Sequence, residues 1–309
     1  TPSWTPGSAM TDCLQAAPPA GTEPRRPSRS LTGEALAQLG RSPLVWIALV
    51  ILVILVAMAV APGLFTNVDP QRCMLLNSRK PPAYGSWFGF DIQGCDVFAR
   101  TVHGARASLS VALLATLGSS FIGGMLGLVA GLKGGVVDAV ISRVTDVVLG
   151  LPTLLGAIVI LATLGSSGSG VLRLALVLSL LGWATEARLM RASVLQTRNA
   201  DYVDAARAAG ASSLRIALRH VLPNSVAPLL VLATLSLGGY VGTEATLSYL
   251  GLGLQPPVIS WGTAISDAQP YLATAPHMLL FPSLVLTVTV LALVMLGEAV
   301  RRAFDPRSR

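Results

Sequence analysis

Apolar residues gather into six long stretches, at 44–61 and at about 107–132, 147–170, 171–190, 221–243 and 278–297. The first holds 18 uncharged residues, about enough to cross the hydrocarbon core of a bilayer as a helix. Gly and Pro interrupt several of the others, as at Gly123-Gly124, Pro152, Gly156, Pro228 and Gly238-Gly239. Membrane helices tolerate these residues, and small ones let neighbouring backbones approach closely. The 171–190 stretch has a short uncharged core bordered by Arg173 and Glu186. Arg173 can snorkel to the outer surface, while Trp183, Arg188 and Arg191 read as interface anchors at the inner end. Six crossings leave both termini on one side.

Composition agrees with an all-α integral membrane protein of six transmembrane helices. Of 309 residues, 52% are hydrophobic and only 12% charged, with a mean hydropathy of +0.66. A soluble domain carries about 25% charge, and so few ionic side chains cannot coat a water-exposed surface around a core of this size. Three cysteines do not make a disulfide-dense secreted scaffold. The net charge of +7 is unevenly distributed: 16 of the 22 Lys and Arg fall before residue 44 or within 133–143, 188–219 and 301–309. This is the positive-inside pattern, which puts both termini in the cytoplasm. The basic balance therefore reports topology rather than nucleic acid.

The layout follows. Residues 1–43 form a polar tail rich in Pro, Ser and Thr, with too little apolar content to fold alone. No apolar run precedes 44–61, so the tail is no secretory signal. Ala59-Val60-Ala61 imitates a cleavage site, but at the end of a run long enough to span, with Pro62 next. An outer lobe covers 62–106, and a five-helix core with a cytoplasmic loop at 199–223 covers 107–309. Cys73 and Cys95 share the outer lobe, where oxidation is permitted. A bridge between them would contribute about 3 kcal/mol through loop closure. Cys13, in the inner tail, is expected to be a free thiol.

The longest interior loop, 191–222, is the most informative stretch. Residues 201–209 have high helix propensity, with Asp201 and Asp204 in the first turn to suit the helix dipole. Gly210 ends this helix in a left-handed conformation, and Ser212 caps a second one. Leu214, Leu218, Val221 and Leu222 then recur on one face, and Pro223 stops the helix and starts the next span. Helix, glycine, helix is also the pattern of a DNA-reading helix-turn-helix. Both ends here run into the bilayer within a few residues, which keeps a duplex away.

No phosphate loop, H-E-x-x-H, C-x-x-C or G-x-S-x-G occurs, and His103, His220 and His277 lie far apart. The chain is therefore expected to be no enzyme, with no catalytic or metal site; any ATP is hydrolysed elsewhere. A proton-coupled transporter would need ionisable groups deep in its spans. Glu186 and Glu298 read as helix-end charges, whereas Glu244 is either a pore or gate residue or an interhelical hydrogen bond. Arg143 and Asp146 can pair at i, i+3, and with Asp138 they are equally suited to touch a partner.

Asp204-Ala205-Ala206-x-x-x-Gly210, nine residues, and then His220-Val221-Leu222-Pro223 resemble the EAA loop of ABC importer permeases. Asp204 stands for the usual Glu, and His220 for an Ile in many members. Three further blocks resemble the second permease subunit of the dipeptide/oligopeptide/nickel importers. They are Phe88-Gly89-x-Asp91-x-x-Gly94-x-Asp96 with Gly104-Ala105-Arg106; Asp138 with Arg143, Asp146 and Pro152; and Glu244-Ala245-x-Leu247-Ser248-x-Leu250-Gly251-Leu252-Gly253, continuing to Trp261-Gly262. Cys95 replaces a usually basic position.

The resemblance implies a type I ABC importer permease in a bacterial inner membrane. It would pair with a homologous permease into a twelve-helix pore. Two ATPase subunits, holding the ATP and Mg, would dock inside, and an extracytoplasmic binding protein would deliver substrate. Helix 201–209 becomes the coupling helix, with Asp204, Ala205, Ala206, Ala209, Gly210, Leu222 and Pro223 as coupling residues. Short peptides are the implied cargo, with nickel chelates, glutathione or another small solute as alternatives.

Overall fold

The computed structural model describes residues 43–83, 85–164 and 170–304. The expectations for the tail before residue 43, Cys13 included, lie outside the described residues. Ten α-helices follow one another among those described: α1 Pro43–Val60, α2 Val97–Lys133, α3 Gly135–Gly150, α4 Thr153–Leu164, α5 Gly170–Arg198, α6 Asp201–Ala208, α7 Ser213–Ile216, α8 Leu222–Tyr249, α9 Trp261–Ala268 and α10 His277–Phe304. Extended pairing among them is limited to two isolated bridges, Ala83 with Ser86 and Phe90 with Asp96.

Five segments are long and apolar enough to cross a membrane: α1, α2, α5, Ser213–Tyr249 and α10. A sixth crossing exists if α3 and α4, bent by 88° at their junction, count as one. The apolar run at 147–170 is thus not a straight span. Pro152 disfavours a helical conformation in the residue before it, and Leu151 is extended at φ −83°, ψ 128°.

Three other boundaries move for one reason: hydropathy marks the lipid-facing part of a helix and misses polar turns beyond it. α2 begins at Val97, capped by Asp96, whose carboxylate accepts from the Ala99 amide at 2.8 Å. That takes ten residues from the expected outer lobe. α5 continues to Arg198, so Glu186 sits well inside it. α7 runs without a stop through a π-helical turn, Ala217–Val221, into α8.

α2 and α5 form the most intimate helix pair. Gly123, Gly127 and Gly131 recur every fourth residue of α2 and bring its backbone against α5. A Cβ on Gly127 would lie 2.4 Å from the Ala187 carbonyl oxygen, and one on Gly123 2.5 Å from that of Trp183. Without a hydrophobic drive between helices in lipid, such close packing is what holds a bundle together. Trp183 is buried here with Ile122, Leu126 and Val148, so it is a packing residue and not an interface anchor. α1 leans on α2 and α10 through Leu55 and Met58 and leaves Ile47, Val50, Val53 and Ile54 exposed, as a lipid-facing helix does.

Candidate functional site

The inner elbow, α6 to the start of α8, is built from a short polar helix with one apolar root. Val203 is the only buried residue of α6. At 0% exposure it packs with Met190 and Val194 of α5, Ile216 and Val221. Asp204, Ala205, Ala209 and Gly210 are exposed and Ala206 is half-buried, so the small-residue face points away from the bundle. Asp204 pairs with Arg207 at 2.6 Å. The helix ends in a Schellman motif: the Gly210 amide donates to Arg207 O and that of Ala211 to Ala206 O. Gly210 has φ +81°, and nothing lies within 4 Å of a Cβ placed there. Its requirement for glycine is conformational and not steric.

Ser212 caps α7, its Oγ accepting from the Arg215 amide at 3.4 Å. The expected apolar face is only partly buried. Val221 is inside with Ile216 and Ala217, whereas Leu214 and Leu218 are 69% and 55% exposed. The π turn adds a residue to the register and breaks the i, i+4 spacing on which that face was read. It also explains why Pro223 does not end the helix. An α-helical proline would meet the carbonyl four residues back; here the Leu222 amide reaches Ala217 O instead, and the Asn224 side chain donates to His220 O at 2.6 Å.

Polar ties fix the elbow to the bundle. Ser193 Oγ donates to Ser225 O, and Ser225 Oγ to Thr197 Oγ1, each at 3.0 Å, joining α5 to α8. Arg198 donates to Gly131 O at the end of α2. Arg191 makes a two-pronged pair with Asp138, and Arg188 reaches Asp146 at 2.7 Å. The expected Arg143–Asp146 pair is the looser one, at 3.9 Å with both side chains exposed. Arg188 and Arg191 therefore hold α3 to α5 instead of anchoring a span end. Val203 and these ties escaped the sequence reading, although Val203 is the one aliphatic side chain larger than Ala in 201–208.

Two glutamates are interior. Glu244, 0% exposed, accepts from Ser248 Oγ at 2.8 Å, with Ser108 and Ser260 also around it. Ser248 Oγ accepts the Leu254 amide, and Ser108 Oγ the Trp261 amide. Glu244 thus belongs to a polar tie between α2, α8 and the start of α9. Its side chain is enclosed by its own chain, the interhelical hydrogen bond being one of the two expected readings. Glu186 is 1% exposed and accepts from Ser119 Oγ at 3.0 Å, contrary to the expected helix-end position. Glu298 does lie at a helix end, beside Arg301 and Arg302.

On the other side, Cys73 and Cys95 are joined as a disulfide. Gly94, at φ +75°, lets the strand of Cys95 pass so close that a Cβ would overlap the Met74 carbonyl. Asp91 accepts from the Gln93 and Cys95 amides at 2.9 Å each and pairs with Arg100 of α2. Phe88 stacks on Phe281 of α10 with ring centroids 4.1 Å apart. Among the described residues no group of three or more His, Cys, Asp or Glu could hold a metal.

Long apolar helices packed through glycine, a braced elbow at one end and a disulfide-tied lobe at the other define a multi-span membrane protein. Residues 123–309 match the family described as binding-protein-dependent transport system inner membrane component. The oligopeptide transport system permease protein OppC of Bacillus subtilis is 35% identical over 91% of this chain and 92% of its own length. The glutathione transport system permease protein GsiD of Pectobacterium atrosepticum is 38% identical over 73% and 74%. A solved structure of the MetNI methionine ABC transporter in inward-facing conformations shares the fold, with TM-score 0.55 at 19% identity, covering 67% of this chain and 96% of that one. The chain belongs to the family of binding-protein-dependent transport system inner membrane components, the membrane permeases of ABC importers. Permeases of this kind work with ATPase and further permease partners. The two interior carboxyls are thus features of an ABC permease rather than marks of a proton-coupled carrier.

Proposed function

We propose that this chain forms half of the translocation pore for short peptides and takes its driving force through the inner elbow. A homologous permease completes the pore, two ATPase subunits supply ATP and Mg chemistry from the cytoplasm, and an extracytoplasmic binding protein delivers cargo. Both termini are cytoplasmic, and the chain itself hydrolyses nothing. The observation that carries this reading is the form of the elbow. A helix rooted by Val203 and braced at both ends presents Asp204, Ala205 and Ala209 outward. Exposed Tyr202, Leu214 and Leu218 beside it give a protein partner apolar contact in an aqueous compartment. ATP-driven closure of the ATPases would pull on this helix and shift the bundle between inward- and outward-open states.

The peptide assignment is supported by the names of several relatives, among them the dipeptide transport system permease protein DppC of Bacillus subtilis at 37% identity. Glutathione, itself a tripeptide, is the second reading, favoured by GsiD. Uptake of labelled trialanine and of glutathione into proteoliposomes holding the full complex and its binding protein separates the two. Ala206→Arg should insert and assemble normally, yet reduce uptake at least tenfold by preventing close seating of the coupling helix. Normal uptake by that variant contradicts the coupling role.

A further inference from the structure

Between the outer lobe and the segment that links α8 to α9 lies a cavity of about 310 Å³, with Gln71, Gln93, Arg100, Gln255, Thr263 and Asp267 on its wall. This is at the small end of the range for ligand sites. Its charges are unbalanced. Arg100 is committed to Asp91, which is itself held by two backbone amides. Among the described residues no basic side chain comes within ion-pair distance of Asp267. Two carboxylates and one guanidinium leave one negative charge over. The other titratable groups around α9 are engaged elsewhere: Glu244 of α8 accepts from Ser248 Oγ, Arg79 lies over the Tyr271 ring at 5.5 Å, and His277 of α10 is turned to the Phe90 carbonyl at 3.3 Å.

Asp267 is exposed and lies on the cavity wall. Partial burial nonetheless holds its carboxyl above the ordinary range, with Arg100 pulling it down and Asp91 pushing it up. A carboxylate in that position gains from a cation that can enter the cavity. The amides of Gln71 and Gln93, on the wall of the same cavity, can donate to and accept from peptide groups.

We propose that this outer cavity binds a primary ammonium against Asp267 and so takes the amino-terminal end of a short peptide. The peptide part rests on the cargo proposed above; the ammonium part rests on the cavity alone. Arg100 is a positioning residue, since it is bonded to Asp91 and forms no ion pair with Asp267.

Saturation-transfer NMR on the complete permease–ATPase complex in nanodiscs, without binding protein, tests this directly. The probes are trialanine, N-acetyl-trialanine and n-propylamine. Trialanine should bind about tenfold more tightly than its acetylated form, the worth of one charge-assisted hydrogen bond. Asp267→Asn should erase that preference and Asp267→Glu retain it. Equal binding of the two peptides by the wild type, or a preference that survives in Asp267→Asn, overturns the site. Propylamine binding as tightly as trialanine overturns the peptide part and leaves a simple ammonium site.

Should the Asn variant fail to assemble, acidification of the wild type decides. Ammonium binding needs ionised Asp267, so the preference must be present at neutral pH and lost on acidification, at a higher pH than an ordinary aspartate would require. A preference constant over that range overturns the site. Peptide uptake by the intact transporter, measured in parallel, separates failure of this site from failure of the cargo assignment.

Discussion

The inner elbow and the outer lobe each hang between membrane helices, but they are secured in opposite ways. The lobe is closed on itself by the Cys73–Cys95 bond, by Asp91 bonded to backbone amides, and by Phe88 stacked on Phe281. The elbow has no such closure: α6 has one buried residue, and its other ties lie at its roots, in α5 and α8. A lobe built this way keeps its shape whatever the bundle does. An elbow built this way is tied to the helices it joins, while its outer face stays exposed. The same chain therefore carries one region closed on itself and one tied only at its roots.

Breaking the common foundation of both regions should have the largest effect. Gly127→Leu forces side-chain atoms into the Ala187 backbone and should cost about 3 kcal/mol or more, seen as loss of monodisperse protein after mild heating. Replacing Cys73 and Cys95 together by Ser opens a 22-residue separation. That should remove about 3 kcal/mol from the lobe, read as early protease cleavage of the outer side, with elbow function intact. Val203→Ala should cost about 2 kcal/mol and loosen only the inner side, measured by faster amide exchange over 201–208. Gly210→Ala, strained by φ +81° but meeting no neighbour, should cost about 1 kcal/mol and slow uptake moderately. Equal protection of both regions in the Val203 and cysteine variants would erase the contrast drawn between them.

Much of this was legible in the sequence, and the limits have physical causes. The apolar runs gave the spans because lipid rewards them residue by residue, and Gly210 and Ser212 gave the elbow because their roles are local. The break at Leu151–Pro152 was missed because hydropathy does not register a backbone that cannot continue a helix. Helical spacing puts Leu214 and Leu218 on one face with Val221, but the π turn changes that period and leaves the two leucines exposed while Val221 is buried. Glu186 was placed at a helix end because the polar turns that extend α5 look like loop. The pairing of Arg191 with Asp138, 53 residues apart, depends on how α3 folds back on α5, which no single segment encodes.

The most direct measurement compares ATP hydrolysis and peptide uptake in proteoliposomes containing the complete transporter with either wild-type or Gly210→Val subunits. A β-branched residue is strained in the left-handed conformation at the end of α6, so the lever leaves the bundle at the wrong angle. Assembly and ATP hydrolysis should continue as in the wild type, with uptake reduced about tenfold or more. Uptake at wild-type level per ATP consumed would contradict the coupling role.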